Sequence, residues 1–318
     1  ACHSMNGLEE KETWRRVGSL EQSLSLSHPF FQTITSACHH CLEPACAIGC
    51  PVQAYQKDPI SGIVSHLDDQ CIGCQYCVMM CPYEVPVYSK RLGIVRKCDM
   101  CSNRLENGDS PACVQACPTD AIQIGIADVK TIEDLALNGS LHPASPDSKL
   151  TIPSTLYKGA ENFPDMMFRS DQFQLEAQPR HEPLVWMLIL SQMGVGMLLW
   201  EGIGLARGWA IPVVNSWIAV ALVATAMGIA TLHLGRPLFA FRFILGLRTS
   251  WMSREILVFS IFLGFAAPFF LQESWPPSLE AQWSAWKTAL LISGTCGIIC
   301  WGMIYISTRR AVWSVFRC

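Results

Sequence analysis

The sequence predicts two unlike folds in succession: a loop-rich α+β domain of small strands and helices, then an all-α bundle of transmembrane helices. Three observations carry this reading. Thirteen of the 16 cysteines in the 318-residue chain fall between Cys2 and Cys117. The charge changes sign near residue 181: residues 1–180 hold 14 Lys and Arg against 21 Asp and Glu, net −7, and residues 181–318 hold 9 against 5, net +4. Beyond that break, long apolar runs replace the mixed composition. The acidic front half, with no basic stretch interleaved with aromatics, excludes a nucleic-acid partner.

The cysteines form three runs, each closed by Cys-Pro: Cys38-x2-Cys41-x4-Cys46-x3-Cys50-Pro51, Cys71-x2-Cys74-x2-Cys77-x3-Cys81-Pro82 and Cys98-x2-Cys101-x11-Cys113-x3-Cys117-Pro118. The middle run, QCIGCQYCVMMCPYEVP, matches the bacterial ferredoxin pattern, in which three close thiolates hold one [4Fe-4S] cube and the fourth serves the other cube. Short x2 steps wrap the chain around one cube, and Pro, with fixed φ and no N–H, helps to end the wrap. CxxC pairs also build zinc sites, and dense cysteines also build disulfide frameworks. Zinc, however, needs four ligands and no CxxCxxCxxxCP run, so iron–sulfur is the better fit.

Cross-ligation then assigns Cys38, Cys41, Cys46 and Cys81 to one cube and Cys71, Cys74, Cys77 and Cys50 to a second. The third run, Cys98, Cys101 and Cys113, needs a distant fourth thiolate, and Cys117 is left to serve a further cube. Short β-branched stretches in GIVSHLDDQC and CPTDAIQIGIAD predict small strands around the clusters. The α+β domain is expected over residues 1–126. Residues 127–180, with Pro143, Pro146, Pro153, Pro164 and Pro179 and no sustained period, predict a tether lying along it.

Residues 181–318 predict four spans, at about 184–205, 213–234, 256–271 and 289–306, each apolar and long enough or nearly so to cross a bilayer. Trp200, Trp209, Trp217, Trp275, Trp283 and Trp286 cluster near their ends. Four such stretches in 138 residues leave too little polar surface for a soluble domain. Arg236, Arg242, Arg248 and Arg254 follow the second span, and Arg309, Arg310 and Arg317 follow the fourth, on the side of the cysteine domain. Arg207, Glu273, Glu280 and Lys287 fall on the other. The positive-inside rule thus puts the cysteine domain in the cytoplasm of a multi-pass protein of the inner membrane, and export by a twin-arginine route would put it in the periplasm. Cys296, Cys300 and Cys318 fit no cluster pattern, and the first two are simplest as small packing residues.

The stretch TLHLGRPLFAFRFILGLRTSWMSREIL places ionisable groups at the membrane edge. His233 and Glu255, with Arg236 and Arg254, predict a quinol site, His233 and Glu255 hydrogen-bonding the hydroxyls and taking protons as electrons leave. The plainer alternative is an interfacial His and a Glu255 paired with Arg254 or Arg236. Only His181 and His233 occur after residue 180, too few for a di-haem anchor, so no haem is expected.

CHHCLEPACAIGCP, CIGCQYCVMMCPYEVP and KCDMCSNRLENGDSPACVQACP resemble the iron–sulfur subunit of the dimethyl sulfoxide reductase family, a double ferredoxin, over about residues 1–180. HEPLVWMLILSQMGVGM, LHLGRP and SREI resemble the membrane anchor subunit of that family. The resemblance implies that Cys2 completes the third cube with Cys98, Cys101 and Cys113, and that Cys117 belongs to a fourth. It implies a CxxCxxC ahead of Ala1 and four spans beyond Cys318, so a fragment is expected. It also implies menaquinol as substrate and a separate molybdopterin-containing catalytic subunit as partner, with membrane lipid around the anchor. Polysulfide, thiosulfate, tetrathionate, nitrite and formate systems use similar modules, and a zinc-stabilised membrane adaptor without redox activity is the alternative of another class.

Overall fold

The computed structural model describes residues 1–10, 12–22, 30–139, 141–164, 167–171, 181–209, 211–212, 214–266, 280–310 and 313, without the side chains of 280–284. The chain divides into two units, residues 1–178 with 308–310, and residues 179–307 with 311–318. Val213, residues 267–271, Glu273, Trp275, Arg317 and Cys318 of the sequence reading lie outside the described residues, as do Pro179 and the side chain of Trp283.

The first unit runs α1 (Cys2–Met5), β1 (Arg16–Gln22), β2 (Phe31–Ser36), α2 (Ala45–Ile48), β3 (Tyr55–Lys57), β4 (Val64–His66), α3 (Tyr76–Met80), β5 (Val87–Ser89), β6 (Ile94–Arg96), α4 (Ser102–Glu106), α5 (Ala112–Gln115), α6 (Val129–Leu137) and β7 (Met167–Arg169). β3–β4 and β5–β6 are antiparallel two-stranded hairpins, and β2–β1–β7 form an antiparallel sheet. The cysteine-bearing helices are one turn long, far below the length at which a helix is stable alone. They depend on the small core of Val52, Val64, Ile72, Tyr76, Ile94 and Val95, and on whatever joins their thiols.

The strand expected in GIVSHLDDQC forms as β4, but CPTDAIQIGIAD forms none. No described strand pairs with it, and Ile124 and Ile126 are exposed, so the β-branched run has neither a ladder nor a core to join. The expected tether is also more ordered than its prolines suggested. It contains α6, capped by the Asp128 carboxylate accepting from Thr131 N–H, and β7 on the edge of β1. Its carbonyls at Thr151 and Ile152 accept from Glu43 and Leu42, and Tyr157 Oη donates to Thr35 O. Proline punctuated these segments without preventing their docking.

The second unit contains α7 (Glu182–Ala206), α8 (Val214–Ala230), a 3-10 turn Thr231–His233, a 3-10 helix Pro237–Gly246, α9 (Trp251–Ala266) and α10 (Glu280–Ile306). Three described segments, Glu182–Ala206, Val214–His233 and Ala285–Ile306, are long and apolar enough to cross a membrane. α9 has 16 described residues and stops where the description stops. The helix begins at Trp251, not 256, and α10 begins nine residues before 289, because apolar runs end at charges such as Glu280 and Lys287 whereas helices do not.

Val195, Leu198, Ala219, Val223, Phe259, Phe262 and Leu290 form the buried core between these helices. Glycines allow the close approach: a Cβ on Gly194 would lie 2.6 Å from Ala219 O, and one on Gly297 2.7 Å from the Phe259 ring. Buried Glu201 accepts from Ser216 Oγ at 2.6 and 2.8 Å and has Lys287 Nζ 3.7 Å away, joining α7, α8 and α10.

Candidate iron–sulfur centres and quinol site

Two cavities in the first unit sort the eight cysteines of the first two runs. One, of about 370 Å³, is lined by Cys38, Cys41, Cys46 and Cys81 with His40, Tyr83 and Lys97. The other, of about 270 Å³, is lined by Cys50, Cys71, Cys74 and Cys77. Each therefore takes three thiols from one run and one from the other, the crossed pattern expected from spacing.

The backbone explains the crossing. In the first CxxC pair of each run the residue before the second cysteine has left-handed φ: His40 42°, Gly73 70°, Met100 60°. This kink turns two thiols to the same side of the chain. Three residues after the last cysteine of each run the same region recurs, at Gln53 (51°), Glu84 (56°) and Asp120 (51°), and carries the chain away.

All 15 described cysteines are free. Burial pushes the thiols of Cys46, Cys74 and Cys77 up, with neighbouring cysteine charge adding to it, and raises Cys41 and Cys98 to about 12. Crowded buried thiolates with no disulfide partner fit a donor set that awaits a cationic core, which would remove their protons. Among the described residues no group of three ligating side chains converges on a single ion, so the four-thiol cavities suit a larger group.

Around these thiols stand donors that cysteine spacing does not reveal. Gly73 N–H donates to Cys71 Sγ (3.4 Å) and Ala54 N–H to Cys50 Sγ (3.2 Å). Burial opposes ionisation of Cys71, but nearby His66 and the N–H groups of Val95 and Gly73 together outweigh it and lower the thiol. His66 Nδ1–H is itself bound to Asp68 Oδ1 at 2.7 Å. Lys97, buried in the first cavity wall, donates Nζ–H to the carbonyls of Val64 and Cys98.

Cys2 lies near part of its expected set. Burial raises its thiol, and the next largest influences are Cys101 and Cys113. Cys98 instead feels burial first and Cys38 next. Arg96 holds the Cys2 segment down: its guanidinium donates to Asn6 O (3.2 Å) and to the buried Glu12 carboxylate (3.2 Å), which also accepts from Trp14 Nε1 (2.8 Å). Cys117 stands apart, its thiol lowered by the backbone N–H groups of Thr119 and Ile122.

In the second unit His233 Nδ1–H donates to Ala230 O, which leaves Nε2 as a lone pair, buried and without a hydrogen-bond partner among the described residues. Glu255, 6% exposed in the second turn of α9, has a buried Oε1 likewise unpartnered among the described residues. The Glu255–Arg254 pair of the plainer alternative does not form: Arg254 Nε and Nη2 donate to Leu247 O (3.1 Å) and Arg248 O (2.6 Å), with Trp251 stacked 4.4 Å away. The guanidinium closes the turn into α9, a task that leaves it off the carboxylate. Arg236 precedes the 3-10 helix as its N-cap. Cys300 and Tyr305 on α10 lie within electrostatic reach of Glu255, which sequence reasoning missed because they are distant in the chain.

Residues 30–127 match the model of a 4Fe-4S dicluster domain, and residues 179–313 that of the DMSO reductase anchor subunit, DmsC. The B subunit of the anaerobic dimethyl sulfoxide reductase of Escherichia coli K12 is 34% identical over 171 residues, covering 51% of this chain and 81% of that protein. The chain belongs to this family of iron–sulfur subunits. In this chain the [4Fe-4S] domain and an anchor domain with apolar helices share one polypeptide. The thiosulfate reductase electron transfer subunit PhsB of Salmonella typhi is 38% identical over 137 residues, 42% of this chain and 70% of that one. The hydrogenase-2 operon protein HybA of Escherichia coli O157:H7 is 36% identical over 137 residues, 41% of this chain, and the chain spans 40% of its length.

Proposed function

We propose that this chain draws electrons from a membrane quinol and passes them through [4Fe-4S] cubes to a separate molybdopterin-containing catalytic subunit. The observation that carries it is the union, in one family member, of two four-thiol cavities with an anchor domain. The ligand sets are Cys38, Cys41, Cys46 and Cys81; Cys50, Cys71, Cys74 and Cys77; and Cys2, Cys98, Cys101 and Cys113, with Cys117 serving a fourth cube. When bound, each cube supplies one-electron redox chemistry.

The protein's part at the quinol is proton management. Oxidation of menaquinol, the expected substrate, to the quinone releases two electrons and two protons. His233 Nε2 carries a lone pair and accepts one hydroxyl proton; the Glu255 carboxyl, once deprotonated, takes the other. Arg236, at the N-cap of the 3-10 helix, and Arg254, whose guanidinium closes the turn into α9, complete the proposed quinol site. The protein is then a multi-pass protein of the inner membrane, its cubes cytoplasmic by the arginine distribution, or periplasmic if a twin-arginine partner exports them.

The likeness to a thiosulfate reductase electron-transfer subunit and to a hydrogenase-operon protein supports a second reading, in which the catalytic partner differs and electrons can run to the quinone instead. Co-purification of the partner discriminates between them. For either, the purified protein in detergent is brown, contains iron and sulfide, and gives [4Fe-4S] EPR signals on reduction; a colourless protein with zinc alone refutes it. Adding a menaquinol analogue reduces the cubes, and His233→Ala abolishes that step while dithionite still reduces them. An undiminished quinol-driven rate in His233→Ala refutes the site.

A further inference from the structure

The left-handed positions in the first CxxC pair of each run are equivalent in backbone and unlike in side chain. Gly73 meets the conformation without strain, Met100 brings no hydrogen, and His40 brings a ring with a proton donor. A bulky residue at this φ is disfavoured unless the surroundings fix it. His40 is fixed: it is 3% exposed and lies in the wall of the cavity lined by Cys38, Cys41, Cys46 and Cys81.

Its protonation pattern follows from one hydrogen bond. Val64 N–H, on β4, donates to His40 Nδ1 at 3.0 Å. A backbone amide can only donate, so Nδ1 carries the lone pair and the ring hydrogen sits on Nε2. Nε2 is buried and has no hydrogen-bond partner among the described residues. A buried N–H without an acceptor is costly and rare, so the acceptor belongs to whatever fills the cavity.

We propose that His40 Nε2–H donates a hydrogen bond to a sulfur of the cube held by Cys38, Cys41, Cys46 and Cys81, and so sets that cube at a higher potential than it would otherwise have. The inference rests on the cluster reading above. The reduced cube carries one more negative charge than the oxidised one, so a donor at sulfur stabilises it more, and hydrogen bonds to sulfur are a recognised control of cluster potential. His40 is a positioning and tuning group: it neither ligates iron nor transfers protons. The side chains of Gly73 and Met100 cannot do the same at their own pairs, so the effect is confined to one cube.

The test uses the full chain, iron-loaded, in detergent. Potentiometric EPR titration of His40→Leu is expected to show one [4Fe-4S] midpoint moved to more negative potential, the others unmoved and the iron content unchanged. His40→Gln, which keeps a side-chain N–H, is expected to move that midpoint back towards the unaltered value. Independently, pulsed EPR of the unaltered, reduced, 15N-histidine-labelled protein should reveal a weakly coupled imidazole nitrogen and an exchangeable proton at this cube, with the nitrogen coupling lost in His40→Gln. Unmoved midpoints in an iron-replete His40→Leu protein overturn the proposal. Should that variant lose the cube, the coupling decides, and its absence overturns the proposal. Unaltered protein without any [4Fe-4S] signal overturns the cluster reading instead.

Discussion

Replacing Glu12 by Ala removes the one carboxylate that joins the Cys2 segment to β6. Glu12 is 3% exposed, accepts from Trp14 Nε1 at 2.8 Å, and pairs with Arg96 Nη1 at 3.2 Å. Breaking a buried ion pair by removing one partner costs about 3–5 kcal/mol, because the other charge is left uncompensated. Arg96 retains 17% exposure, the Asn6 carbonyl and the Trp14 ring 5.3 Å away, so the lower end applies, about 3 kcal/mol. At about 1.4 kcal/mol per decade this makes opening of the N-terminal segment roughly a hundredfold more frequent. Iron captured by a ferrous chelator from the locally opened protein then leaves faster by a similar factor, and the signal lost first is that of the cube containing Cys2. Glu12→Leu with Arg96→Met removes both charges and should regain most of the loss. Equal release rates in Glu12→Ala and unaltered protein, or simultaneous loss of all clusters, would refute this account of the segment.

The remaining predictions concern crossing and packing. Cys50→Ala should deplete the cube of Cys71, Cys74 and Cys77 and spare that of Cys38, Cys41 and Cys46, read by iron count and by which EPR signal disappears; loss of the latter cube would contradict the crossed cavities. Gly194→Ala sets a methyl 2.6 Å from a backbone carbonyl of α8 that cannot swing aside, and should destabilise the anchor by about 1–3 kcal/mol in denaturant-titrated unfolding. Gly196→Ala, where nothing lies within 4 Å, is the internal control and should stay within about 0.5 kcal/mol.

What the sequence disclosed and what it hid divide along a physical line. Spacing of thiols is a local property, so the crossed sets of the first two runs could be read from the chain and reappear as two separate cavities. Apolar length is also local, and marked the anchor helices to within a few residues, failing at Trp251 and Glu280 because polar residues extend a helix beyond its apolar run. Packing partners are not local. Nothing near Glu255 in the chain announces Cys300 or Tyr305, nothing in CPTDAIQIGIAD reveals that no strand awaits it, and the prolines of residues 143–164 concealed the hydrogen bonds that dock that segment. At Arg254, proximity in sequence offered a pair with Glu255 as the plainer alternative, but adjacent helical residues point about 100° apart, and the guanidinium meets carbonyls at the turn instead.

The Cys-Pro endings show how much of a ligand's geometry the peptide supplies by itself. Proline has no N–H, so the first amide after each cysteine is silent, and the next ones reach the sulfur: Val52 and Ala54 at Cys50, Tyr83 and Val85 at Cys81, Thr119 and Ala121 at Cys117. The left-handed residue between each pair, Gln53, Glu84 or Asp120, is what swings the second amide back. None of the three is glycine, so each conformation carries strain of about 1–3 kcal/mol that its surroundings must offset. The same kink, with the amides two and four residues past the cysteine among the donors, occurs at buried Cys50 and Cys81 and in the Cys117 loop. A burial effect would not repeat across such different surroundings. The turn is therefore a property of the Cys-Pro peptide, which holds its sulfur among amide donors and ready for a thiolate whether or not the rest of its ligand set is at hand.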